Sequence, residues 1–216
     1  MNSLSRTGGL AKRVGRPMVA CLACLAAVSS IPAAGAQAAE SGTASVVPPA
    51  GIWGLDFSPD GKWLAAATNA RGHGGPIVIW RVEDWKPHVV RMVPTGGLHV
   101  AFSPDGKLLA YSTRGPLVDL IDVSSGELVR SIKVLDAKRG TVYCVAFSPD
   151  GKSLLTSGAD RRIRQWNLAD GSLKRAFEVD ADTVDGIAVS PDGSLLLSGD
   201  HDGETRLWEI GTGEVV

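Results

Sequence analysis

The chain repeats one short pattern four times: an apolar residue, then Ser-Pro-Asp-Gly, then an aliphatic run. The copies lie at residues 57–62, 102–107, 147–152 and 189–194. Their prolines are 45, 45 and 42 residues apart. Regular self-similarity of this length indicates a structural unit that is copied along the chain and stacked on its neighbours. The repeat therefore constrains the fold more strongly than any local property of the 216 residues.

The Ser-Pro-Asp-Gly tetrapeptide predicts a tight hairpin turn. Serine caps the turn, proline sets φ of the first central residue, aspartate suits the second, and glycine takes the positive φ that closes it. Apolar runs of strand length flank every copy. The predicted pairs of first and second strands are 52–57 with 63–67, 98–102 with 108–111, 142–147 with 154–156, and 187–189 with 195–197. Because the first strands are nearly all apolar, we expect them to be buried on both faces.

Further strands complete each unit. Third strands are predicted at 77–82, 117–123, 163–168 and 205–210, and fourth strands at 128–134 and 173–179. No sustained helical period occurs after residue 38. Four strands in about 40–45 residues match one blade of a β-propeller. The predicted fold is all-β, an incomplete propeller of four-stranded antiparallel blades, with repeats at about 51–96, 97–141, 142–182 and 183–216.

The third and fourth units carry a polar signature around a tryptophan. Each has a hydroxyl residue, an aspartate four residues later and a tryptophan six residues after that. These positions are Thr156, Asp160 and Trp166 in the third unit, and Ser198, Asp202 and Trp208 in the fourth. Residues 51–216 thereby resemble the WD-repeat β-propeller family, and the N-terminus described below suggests a secreted bacterial member. The resemblance implies that these side chains hydrogen-bond within a blade, although the histidine of the family network is absent.

The first two units depart from this signature. In the first unit Trp80 fits the tryptophan position, but Gly74 stands at the aspartate position. In the second unit Ile121 and Gly115 occupy the two positions. We expect the blade geometry to persist, because turns and apolar strands carry it, and the polar network to be incomplete.

The first 38 residues have the layout of a secretory signal. A basic region without acidic residues precedes the apolar stretch 18–31, and Ala-Gly-Ala and Ala-Gln-Ala follow as candidate cleavage sites. The apolar stretch is short for a membrane span, which needs about 20 residues. We therefore predict a cleaved signal at 1–38, a linker or closing strand at 39–50, a periplasmic or secreted location, and no stable membrane insertion after cleavage.

Charge and cysteine content narrow the range of possible functions and partners. Four of the 22 basic residues and none of the 23 acidic ones lie in the signal, which leaves a net charge of −5. This balance argues against a nucleic-acid partner, because phosphate binding needs clustered cations. Cys144 is the single cysteine after the signal and lies on a predicted inner strand, so we interpret it as a small buried hydrophobe.

The sequence predicts no catalytic, cofactor-binding or metal-binding residues. It has no nucleophile elbow, phosphate loop, haem-attachment motif or zinc-type Cys/His cluster. Residues 198–209 approximate a calcium loop, but strands flank them where that motif requires helices, so a blade turn is the preferred interpretation.

The predicted function is a non-enzymatic scaffold that binds a protein partner through its loops. Trp85, in the least repeat-like loop, is the predicted contact, and the competing interpretation is that it covers the edge of the first blade. One alternative is a small-ligand or catalytic site at the propeller channel, to which only His99, Thr141 and Asp185 could contribute. Another is a recognition module of a larger enzyme or cytochrome-type protein.

The number of repeats does not decide whether the propeller forms a closed ring. Propellers close with four to eight blades, and the fourth unit stops where its last strand should begin. We expect the chain to be the front part of a longer protein. The alternative is that residues 44–47 supply the missing outer strand of a small ring.

Overall fold

The computed structural model describes residues 51–69, 74–135, 140–180 and 183–216. The predicted signal at 1–38 and the linker at 39–50, with the proposed closing strand at 44–47, lie outside the described residues. No helix in the described part of the chain is long and apolar enough to cross a membrane.

Within these residues the chain forms four antiparallel sheets in chain order. Sheet 1 contains β1 (Gly51–Phe57), β2 (Trp63–Asn69), β3 (Gly75–Arg81) and β4 (Pro87–Val93). Sheet 2 contains β5 (Gly97–Phe102), β6 (Leu108–Thr113), β7 (Leu117–Asp122) and β8 (Leu128–Lys133). Sheet 3 contains β9 (Val142–Phe147), β10 (Ser153–Gly158), β11 (Arg162–Asn167) and β12 (Leu173–Glu178). Sheet 4 contains β13 (Val184–Val189), β14 (Leu195–Asp200) and β15 (Thr205–Glu209), and Val215 adds an isolated bridge to Trp208.

The repeated tetrapeptide forms the turn between the first two strands of every sheet. In sheet 1 the Ser58 hydroxyl donates to Asp60 Oδ1 at 2.6 Å and accepts the backbone N–H of Trp63 at 2.9 Å. Gly61 has a φ of 70°, which glycine adopts without steric cost. The same serine–aspartate bond recurs in the other three sheets. The predicted all-β fold of repeated antiparallel blades is confirmed.

Each sheet has two apolar faces, which we name by their position in the stack. The front face looks towards the preceding sheet and the back face towards the following one. On the front face a row of three register partners recurs, namely Phe57, Leu64 and Trp80; Phe102, Leu109 and Ile121; Phe147, Leu154 and Trp166; and Val189, Leu196 and Trp208. On the back face the equivalent rows are Asp56, Ala65 and Ile79; Ala101, Ala110 and Leu120; Ala146, Leu155 and Gln165; and Ala188, Leu197 and Leu207.

Three hydrophobic cores join consecutive sheets. The back face of sheet 1 packs on the front face of sheet 2, sheet 2 packs on sheet 3 in the same way, and sheet 3 on sheet 4. The inner strands β1, β5, β9 and β13 also contact one another in this order. The described sheets therefore form an open stack of blades, an incomplete propeller whose two end faces are uncovered.

The uncovered front face of sheet 1 corrects one prediction. We expected every first strand to be buried on both faces, and β5 and β9 are mostly buried. In β1, however, Ile52, Leu55 and Phe57 are exposed. The difference is non-local in origin, since no described sheet lies in front of sheet 1.

Candidate functional site

The tryptophans of sheets 3 and 4 are anchored by one hydrogen bond each. Trp166 Nε1 donates to Thr156 Oγ1 at 2.9 Å, and Trp208 Nε1 donates to Ser198 Oγ at 2.9 Å. All four side chains are buried. A buried indole N–H without an acceptor is costly, so these bonds fix the tryptophans in the two cores. The pairs thus have a structural role.

The aspartates of the same signature have different surroundings in sheets 3 and 4. Asp160 forms a two-point ion pair with Arg164. In sheet 4 Arg206 pairs with Asp200, at 2.9 Å, and with Glu204, at 2.6 Å, whereas Asp202 is exposed in the turn. The spacing in the sequence alone had placed Asp202 at the aspartate position of the signature. Strand pairing selects Asp200, because β14 extends to this residue and ends beside the arginine.

Sheet 2 has a hydrogen-bond network around a tyrosine where sheets 3 and 4 have the bond between tryptophan and a hydroxyl. Tyr111 stands where sheet 3 has Thr156, and its hydroxyl donates to Asp119 Oδ2 at 2.8 Å and accepts from Arg91 Nε of sheet 1 at 2.9 Å. Ser131 also donates to Asp119. Burial and the Asp119 bond raise the pKa of Tyr111 to about 12. The network links sheets 1 and 2.

Outer-strand side chains fasten each sheet to the next. Arg130 donates to the backbone oxygens of Asp170 and Ala169, at 2.7 and 3.1 Å, and Arg175 donates to those of Thr212 and Gly211. At the junction of sheets 1 and 2, the His88 ring contacts the Ser124 oxygen at 3.0 Å. Each contact reaches the turn between the third and fourth strand positions of the following sheet.

These same turns place Trp85 in a distinctive position. In sheets 2, 3 and 4 the turn is closed by Gly126, Gly171 and Gly213, which have φ values of 72°, 77° and 84°. Trp85 takes the equivalent position in sheet 1 with a φ of 54°, and its N–H bonds the Arg81 oxygen at 2.8 Å as the glycines bond theirs. A bulky residue with positive φ is uncommon and strained. Alignment of the four turns in the sequence would have revealed this substitution.

The surroundings of Trp85 are mixed in charge. Its indole is exposed, with 56% of the residue accessible. Asp84 lies 3.7 Å from Arg81 and 3.4 Å from Lys86. Burial opposes the shift, but the Lys86 backbone amide and the Arg81 charge together lower the pKa of Asp84. Beside this turn is an open cleft of about 270 Å³ lined by Gly61, Lys62, Trp63, Arg81, Val82 and Glu83.

The three polar residues considered for the channel form separate contacts. The His99 ring lies 3.7 Å from the sulfur of Cys144, which is buried on β9 as predicted. Asp185 bonds His201 at 3.1 Å and the Thr183 hydroxyl at 3.0 Å. Thr141 is half-buried, and its backbone oxygen accepts the N–H of Ala159.

Three side chains of the calcium-like segment of sheet 4 form hydrogen bonds or ion pairs with other residues of the sheet. Ser198 accepts from Trp208, Asp200 pairs with Arg206, and Glu209 accepts from the Thr212 hydroxyl. Among the described residues, no group of three or more His, Cys, Asp and Glu side chains is placed to hold a metal ion. The segment acts as a blade turn.

An open stack of propeller blades joined by exposed turns is the architecture of a β-propeller repeat protein. The family model described as WD domain, G-beta repeat matches residues 45–80, 129–167 and 171–209, which is more than half of the chain. The protein therefore belongs to the WD-repeat family, whose domains generally mediate protein–protein interaction. Between the first two matches lies 81–128, which holds Tyr111 and Ile121 of sheet 2. A comparison with curated proteins finds no match.

Proposed function

We propose that this protein is an exported, non-catalytic scaffold that binds a protein partner at the Trp85 turn (residues 81–86). The observation that carries the proposal is an exposed tryptophan in a left-handed turn position where the other three sheets have glycine. A left-handed conformation costs a non-glycine residue about 1–2 kcal/mol. Strain of this kind is retained where function requires it.

The chemistry of the turn suits a protein surface. Tryptophan and arginine are enriched among the residues that dominate binding energy at interfaces. Here the exposed Trp85 lies in the same turn as Arg81, Asp84 and Lys86, whose side chains form ion pairs with one another. A partner with an apolar pocket and a polar rim of both charges would complement this turn.

The test is to replace Trp85 with glycine and recover bound proteins from a periplasmic extract. Trp85→Gly removes the indole and suits the backbone, so the fold is expected to be at least as stable as before. The matched control is Leu173→Ser, an equally exposed apolar residue on β12. We expect the wild-type protein and the control to retain a partner that Trp85→Gly loses. Equal recovery by all three would contradict the proposed contact.

The proposed export rests on the N-terminal pattern of basic residues, apolar stretch and small residues. The test is the N-terminal sequence and location of the accumulated protein. We expect it to begin after Ala36 or Ala38 and to fractionate outside the cytoplasm. A cytoplasmic protein that begins at Met1 would contradict export.

A further inference from the structure

Most arginines in the described part of the chain form contacts inside the molecule. Of nine such arginines, seven form hydrogen bonds or ion pairs with other residues, namely Arg81, Arg91, Arg130, Arg162, Arg164, Arg175 and Arg206. Among the described residues, the guanidinium groups of Arg114 and Arg161 have no hydrogen-bond or ion-pair partner, and both residues are exposed. Their N–H donors are therefore available to a ligand.

The two arginines lie in equivalent turns of adjacent sheets, and we name them together the arginine surface. Arg114 is in the turn from β6 to β7 of sheet 2, and Arg161 is in the turn from β10 to β11 of sheet 3. Because sheets 2 and 3 stack in the same orientation on one shared core, these turns lie at the same edge of the stack. The Trp85 turn joins a third strand to a fourth and lies at the opposite edge. The arginine surface is thus separate from the Trp85 turn.

The fold restricts the conformation of both arginines. Arg161 has a φ of 64° at the position where sheet 4 has Gly203 with a φ of 91°, each five residues before the tryptophan of its sheet. This left-handed conformation is uncommon for a residue other than glycine. The guanidinium carbon of Arg114 lies 5.5 Å from the ring centroid of Trp53, a cation–π contact. That contact orders the side chain without using its N–H donors.

We propose that the arginine surface binds an acidic segment of a protein partner through aspartate or glutamate side chains. A guanidinium group forms two parallel N–H···O bonds with a carboxylate. The equivalent turn of sheet 4 carries the exposed Asp202 instead of a cation, so the positive surface is confined to two turns. The whole chain has a formal net charge of −1. Nucleic acid requires a longer series of cations, whereas a short acidic segment matches two arginines.

The proposal is tested by fluorescence anisotropy of a labelled oligoglutamate peptide with the purified full chain. We use physiological ionic strength, where charges further apart than about 8 Å are largely screened. Arg114→Gln and Arg161→Gly each remove one guanidinium group, and glycine suits the left-handed φ of residue 161. We expect each change to raise the dissociation constant of the peptide about fivefold, as for an exposed ion pair of good geometry. Melting temperatures verify that both variants are folded.

Arg162→Gln is the matched control, because it removes the same charge from the neighbouring exposed residue. The Arg162 charge is already compensated by Glu178 at 2.8 Å, so this variant should bind the peptide like the wild-type protein. Trp85→Gly should also bind normally, since it changes the opposite edge. An equal loss in Arg162→Gln and Arg161→Gly would overturn the proposal, because net charge alone would explain binding. So would the absence of peptide binding by the wild-type protein, or tighter binding of a single-stranded oligonucleotide of the same charge.

Discussion

At the residue scale, the hydrogen bond between Trp166 and Thr156 contributes to the stability of the second core. Thr156→Val keeps the shape of the side chain but leaves the buried indole N–H without its acceptor. We expect the free energy of unfolding to fall by about 1–3 kcal/mol, as for other buried donors that lose their partner. Urea denaturation measures the change.

The neighbouring Ser157 provides a matched control for this prediction. It lies on the same strand and is buried, but its hydroxyl has no hydrogen-bond partner in the structure. Ser157→Ala should therefore cost little or be stabilising. Adding Trp166→Phe to Thr156→Val removes the orphaned donor, so the double variant should lose less than the sum of the two single changes. Simple additivity would contradict the role assigned to the bond.

Asp56 is the one carboxylate in the back-face rows, where sheets 2, 3 and 4 have alanine at this position. Burial raises the pKa of Asp56, and the bonded amide of Phe102, at 2.7 Å, opposes this only in part. The folded state thus holds this proton more tightly than the unfolded state, whose pKa is about 3.9. The contribution of Asp56 to stability is present below that value and is lost as the pH rises through the raised pKa.

Asp56→Asn removes this titration and keeps an oxygen that can accept the Phe102 amide. We expect the melting temperature of the variant, relative to wild type, to rise as the pH increases from acid through the raised pKa of Asp56. Asp192→Asn should show the opposite slope, because the hydroxyl of Ser190 and the amide and hydroxyl of Ser194 lower the pKa of Asp192 to about 2. Its stabilisation is present at neutral pH and lost in acid. Parallel melting curves for all three proteins would contradict both assignments.

At the scale of elements, the arginines of the outer strands connect sheets that share no strand pairing. Arg130 on β8 bonds two backbone oxygens in the turn that Gly171 closes. Arg130→Met retains the aliphatic stem and removes both bonds, so we expect a loss of about 1 kcal/mol in unfolding free energy. Thermal or urea denaturation measures it. Lys174→Met, an exposed cation on the outer strand β12 of sheet 3, is the control, and an equal loss in both variants would contradict the role of the bonds.

The strands and their turns could be predicted from sequence because their signals are local. Ser-Pro-Asp-Gly determines its own hydrogen bonds, and the second and third strands begin and end within three residues of the prediction. Contacts between sheets have no local signal in the amino-acid sequence. The Arg91–Tyr111–Asp119 network, the approach of His99 to Cys144, and the choice of Asp200 over Asp202 depend on register or on a neighbouring sheet. The exposure of β1 likewise depends on what lies in front of sheet 1.

At the scale of the whole molecule, the described stack is a linear array in which each core belongs to two sheets. In such arrays stability is approximately the sum of unit and junction terms, so units at the ends open most easily. Sheets 2 and 3 share two cores each, whereas sheets 1 and 4 share one. Sheet 4 has three strands among the described residues, and the other sheets have four.

Hydrogen exchange should therefore proceed in a defined order along the chain. At low protein concentration we expect the amides of β14 to exchange faster than those of β10, its equivalent in sheet 3, because β14 has a core on one face only. Mass spectrometry of peptides from these strands measures the exchange rates. Equal exchange in β14 and β10 would contradict the linear array.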